Sequence, residues 1–145
     1  MRLALALVAV FVLAGCAADE DAPPTEALAL PEAVRVIGHS YECPVTPEMC
    51  RRYLLIAPSL EADPPLRSSA AVRDVVWRGM LAAGWRPTPA ASADDRAARS
   101  TKDGAFAAIL TDPDWSDLRL GPQLQDLERD RQPIAAVALS DDRTN

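Results

Sequence analysis

"SSAAVRDVVWRGMLAAGW", residues 68–85, is the clearest helix signal in the chain, and the fold class turns on it. Val72, Val75, Val76, Met80 and Ala83 recur at helical spacing and set one apolar stripe toward a core. Trp77 and Leu81 broaden that stripe, and a Trp so placed is more often packing than a ligand platform. Ser68 or Ser69 suits the N-cap, where a hydroxyl accepts from an unpaired N–H, and Gly84 suits the residue just past the end.

Strand signals lie on both sides of this helix. "YLLIAP" (53–58) is an uninterrupted apolar run stopped by Pro58, the pattern of a buried strand, and "VRVIG" (34–38) alternates weakly as a short strand before it. "EADPPLRSS" (61–69) is the loop into the helix. Beyond the helix, the prolines of "WRPTP" (85–89) confine it to a sheet edge, and the small polar run "AASADDRAARSTKDG" (90–104) reads as a mobile loop. "AFAAIL" (105–110) resumes as a strand, "TDPDWSDLRL" (111–120) is a turn with a short strand, and "GPQLQDLERDRQ" (121–132) is a second helix opened by Pro122. "PIAAVALS" (133–140) closes the domain, and residues 141–145 fray as a flexible tail. The order strand, helix, strand, strand, helix, strand predicts a single α+β domain over 34–140. It is a small two-layer sandwich with a mainly antiparallel sheet and two helices on one face, of which ferredoxin-like βαββαβ is one form.

Cys43 and Cys50 in "ECPVTPEMC" sit close enough to read as a disulfide in an oxidising compartment, and Pro44 and Pro47 favour a turn between them. A zinc site from His39, Cys43 and Cys50 lacks a fourth ligand at any standard spacing, and six residues between the cysteines are too many for a thioredoxin-type pair.

The chain carries 21 acidic and 15 basic side chains, a formal charge of −6. That balance excludes a nucleic-acid partner, which requires a basic patch. All the bases but Lys102 are arginine, a bias that fits G+C-rich codons better than arginine chemistry. Residues 17–33, "AADEDAPPTEALALPEA", hold five acids, three prolines and no base, so they read as an extended tether reaching up to about 50 Å. The apolar "ALAL" (27–30) offers the alternative of a short docking segment.

At the start, Arg2 precedes eleven consecutive apolar residues, Leu3 to Leu13. A helix of that length rises about 16 Å, too short for a bilayer span but right for an export signal over residues 1–15. Leu13, Ala14, Gly15 and Cys16 resemble the lipobox of bacterial lipoproteins at all four positions. The resemblance implies that the Cys16 thiol takes a diacylglyceryl group with palmitate-type chains and becomes residue one of the mature protein, ahead of a tether over 16–33. It implies a location in the cell membrane or outer membrane, facing the extracytoplasmic side. Losing residues 1–15 removes Arg2 and no acid, which moves the charge from −6 to −7. An acidic domain is repelled by anionic lipid, so the acyl chains are the membrane attachment.

Residues for catalysis are sparse. His39 stands beside Ser40 with no nucleophile-elbow motif, and reads as a structural, partly exposed histidine. Asp112, Asp114 and Asp117 lack the remaining positions of a calcium loop. No metal or cofactor is expected. The sequence thus points to a non-catalytic binding or envelope-assembly module with an envelope protein as partner, and Trp85, Trp115, Arg51 and Arg52 are the candidate contacts because Trp and Arg dominate interface energetics. The alternative is a small cell-envelope hydrolase whose site is not evident.

Overall fold

The computed structural model describes residues 23–43, 50–90, 93, 95–100, 104–110 and 133–141. Six strands form one open sheet: β1 (Val34–Glu42), β2 (Arg51–Pro58), β3 (Trp85–Thr88), β4 (Arg96–Ser100), β5 (Ala105–Leu110) and β6 (Ala135–Asp141). Their lateral order is β1-β2-β6-β5-β4-β3, and every neighbouring pair is antiparallel. Helix α1 (Ser69–Ala82) connects β2 to the opposite edge of the sheet. The fold is therefore an antiparallel sheet with one helix among the described residues, not two. The helix expected over 121–132 lies outside those residues, and six strands in this order are not the four-stranded βαββαβ arrangement.

The apolar run of β2 lies inside the sheet between β1 and β6 and is buried on both faces because side chains pack over each of them. On the helix side, Leu54 and Ile56 of β2 join Val137 and Leu139 of β6 and Ala107 and Ile109 of β5 beneath Val72, Val76 and Met80 of α1. Those three helix residues stand four apart, one above another on the helix. On the other side Leu55, Ile134 and Ala136 form a smaller cluster with Ile37, Tyr53 and Leu110 packed against it. Ile37 faces that cluster by alternation from Val34 and Val36, which face the main core, and the β1–β2 register shifts beside it, between Val36 and Gly38.

Helix α1 begins as its sequence requires: Ser68 Oγ accepts from the Ala71 N–H at 3.1 Å, and Ser69 Oγ accepts from the Ile134 N–H at 3.1 Å, tying the helix start to the entry of β6. At the other end Gly84 takes φ +96, a conformation that costs glycine little, and the chain reverses into β3. No helix among the described residues is long and apolar enough to cross a membrane.

Two segments depart from the sequence reading. Residues 96–100 pair as strand β4 between β3 and β5, where a loop is expected. Its buried positions are Ala97 and Ala98, residues with weak strand preference, so nothing in its composition announces it. The second departure is in the tether, whose later half belongs to the domain. Thr25–Leu28 forms a 3-10 turn, Leu28 is fully buried in the main core, and Ala27 and Leu30 pack against that core. Trp85 Nε1 donates to the Ala27 carbonyl at 3.0 Å. Pro31 lies on Gly79 so closely that a Cβ there would come within 2.6 Å of the Pro31 side chain. The docking alternative for "ALAL" is the one observed, and the domain extends N-terminal of residue 34. At the other end Asp141 completes β6, so the strand runs one residue into the expected tail.

The pairings define two ends of the sheet. Trp85 opposite Ser100, Ala105 opposite Asp141, and Arg51 opposite both Ser140 and Glu42 mark one end. Val34 opposite Pro58, Ile56 opposite Ala135 and Arg96 opposite Ile109 mark the other. Ala27 is held near the first end by Trp85, and seven residues later the chain enters β1 at the second.

Candidate functional site

The expected disulfide is present: Cys43 and Cys50 are bonded with their Cα atoms 4.1 Å apart. They join the end of β1 to the start of β2 and so lock the hairpin whose register ends at Glu42 opposite Arg51. Bonded sulfurs are not available as zinc ligands, and no cluster of three or more His, Cys, Asp or Glu suited to a metal occurs among the described residues. Closing a loop of this length stabilises by about 2.5 kcal/mol on the chain-entropy argument. Replacing both cysteines by serine is expected to lower the unfolding free energy by about that amount, read from urea midpoints. Equal midpoints for the two proteins would mean that the cross-link does not restrain the unfolded chain.

The four candidate contacts separate. Arg51 is exposed beside Cys50 at the disulfide end of the sheet. Arg52, half-buried, places its guanidinium carbon 5.8 Å from the ring centre of Tyr41, its cross-strand neighbour, a cation–π contact that holds it on the sheet. Trp85 is only 4% exposed, and its indole N–H is spent on the Ala27 carbonyl, so it is a core residue rather than an exposed contact. Its place at the first residue of β3, under the N-terminal segment, is the physical reason. Trp115 and Cys16 lie outside the described residues, as do Asp112, Asp114 and Asp117. His39 is exposed on β1 opposite Leu54, and Ser40 follows it on the strand, so the two side chains leave opposite faces of the sheet.

A different group of residues forms a recess. Leu66, Ala71, Asp74, Val75, Trp77, Arg78 and Arg96 line an open groove of about 500 Å³ between α1 and the entry of β4. Trp77 and Val75 are half-buried and pack against the main core, which bears out the packing reading of Trp77 while leaving part of its surface on the groove. Arg73 Nε donates to Asp74 Oδ1 at 3.0 Å, so this carboxylate is engaged by a neighbour on its own helix. Arg78 Nε donates to the Asp74 carbonyl at 3.2 Å, and Arg96 Nη1 donates to the carbonyls of Asp95 at 2.9 Å and Ala93 at 3.3 Å. Carbonyls orient a guanidinium without cancelling its charge. The groove thus offers an aromatic wall and two oriented cations.

The sequence signal for this site is thin. Helical spacing gives Trp77, and Arg78 is its neighbour, but Arg96 belongs to a segment that composition assigns to a loop. Only the pairing of β4 with β5 brings it to the helix. No protein-family model, curated protein or solved structure matches the chain.

Proposed function

We propose that this chain is a lipid-anchored envelope protein whose domain is a non-catalytic binding module for an envelope protein. The observation that carries the binding role is the groove of Trp77, Arg78 and Arg96. An aromatic face beside two guanidiniums suits an apolar segment bearing a carboxylate, since Arg offers paired donors to that group and Trp offers area at low entropic cost. The anchor rests on Leu13-Ala14-Gly15-Cys16 behind a short apolar run, with extracytoplasmic exposure in keeping with the Cys43–Cys50 disulfide. We read the domain as a two-layer α+β sandwich, with α1 and the Thr25–Leu28 turn forming the layer over the sheet.

The test is co-purification of cross-linked partners from detergent extracts. Trp77→Ala is expected to reduce recovery of one protein about 30-fold, the equivalent of a 2 kcal/mol hot spot, while Glu26→Ala, at an exposed position outside the groove, leaves recovery within about twofold. Turnover of a peptide or glycan by the purified protein, abolished by His39→Ala, would replace this reading with the envelope hydrolase.

A further inference from the structure

We propose that the Trp85 end of the sheet rests against lipid headgroups, contacting them through Leu81 and Arg86 at the corner where α1 turns into β3. The inference rests on the lipid anchor at Cys16 and adds an orientation to it. Because the 3-10 turn and Leu28 are docked, the chain between Cys16 and the domain is eight residue steps, Cys16 to Pro24, and spans at most about 28 Å whatever its conformation. It reaches the domain beside Ala27, which Trp85 holds at the first end of the sheet. The eight residues of β2 extend about 25 Å, so the opposite end stands farther from the bilayer by roughly the length of that span itself.

The surface at the point of attachment fits a lipid boundary. Leu81, at 37%, is one of two exposed large apolar side chains among the described residues, and Arg86 is exposed two residues beyond the Gly84 turn. From Val75 to Ala93 the chain holds no acidic residue, and Arg78 and Arg86 are its only charges, in a protein where acids outnumber bases 21 to 15. Among the described residues, the strand acids at this end of the sheet, Glu42 and Asp141, sit on β1 and β6, away from the β3 edge, and exposed Glu26 lies in the 3-10 turn beside Ala27. The contact therefore tilts toward the α1–β3 corner. Exposed arginine near an anionic headgroup layer is attractive, and Leu81 adds apolar area at the boundary. The other exposed large apolar residue, Leu60, at 90%, follows β2 at the far end and serves as the reference position.

The experiment uses the full lipidated chain in vesicles of phosphatidylethanolamine and phosphatidylglycerol, with a photo-cross-linking amino acid at position 81 or at position 60. Phospholipid adducts are counted by mass spectrometry, which also reads the diacylglyceryl group on Cys16. Adduct yield is expected to be at least about fivefold higher at 81 than at 60, and Arg86→Glu is expected to lower the yield at 81 by at least about threefold. Equal yields at the two positions with lipid present on Cys16 overturn the orientation and leave the anchor standing. An unmodified Cys16 overturns both. An unchanged yield in the Arg86→Glu protein overturns the contact assigned to that side chain.

Discussion

Leu28→Ala is expected to lower the stability of the domain by about 2–5 kcal/mol, a large fraction of what a domain of this size possesses. The residue lies in an acid- and proline-rich segment, where composition alone allows almost any substitution. Its side chain is nonetheless fully buried in the same cluster as Val76, Met80 and Trp85. Truncation to Ala removes the transfer free energy of the lost carbons and leaves a cavity against the helix. The neighbouring residue cannot easily collapse to fill it, because Ala29 is held at φ 49, in the left-handed region, where a non-glycine residue persists only if its surroundings fix it. Urea unfolding of the mature chain reads the effect, with exposed Glu26→Ala as the control expected within about 0.5 kcal/mol of the parent. A Leu28→Ala protein as stable as that control would mean that the segment does not pack on the domain in solution.

Cys16→Ser is expected to move the protein from the membrane fraction to the soluble fraction by much more than tenfold. Two acyl chains contribute about 0.8 kcal/mol per buried methylene, whereas a serine hydroxyl accepts no thioether-linked lipid. The described domain offers no apolar helix of membrane-spanning length to compensate, and its charge opposes recruitment to anionic lipid. Fractionation followed by intact-mass measurement checks the outcome. Retention of the Cys16→Ser protein in the membrane fraction, with the parent free of lipid, would remove the anchor from this account.

Local features with strong physical signatures were legible in the sequence. The cap at Ser68, the turn at Gly84, the buried run of β2, the edge position of β3 with its Pro87, and the Cys43–Cys50 bond each follow from one or two residues whose chemistry leaves few options. Features that depend on partners were not legible. Strand β4 is made of arginine, alanine and one serine and exists because β3 and β5 supply hydrogen bonds on either side. The docking of residues 25–31 depends on Gly79 being small enough to admit Pro31, and on a Trp85 indole that needs a carbonyl. The same cause misled the choice of contact residues: Trp85 is claimed by Ala27, while Trp77, assigned to packing, keeps a face on the groove.

The placement of β6 governs the history of each molecule. It is the last of the described strands in chain order, yet it stands third in the sheet and is the only described strand that joins the β1–β2 hairpin to the β3–β4–β5 meander. Until residues 135–141 are available, those two pieces share no ladder, and both expose the edges that β6 will cover. A chain that ends short of Ala135 therefore leaves the hairpin and the meander linked only through α1 and the core beneath it, with their inner borders bare, and the seven residues of β6 are the keystone between them.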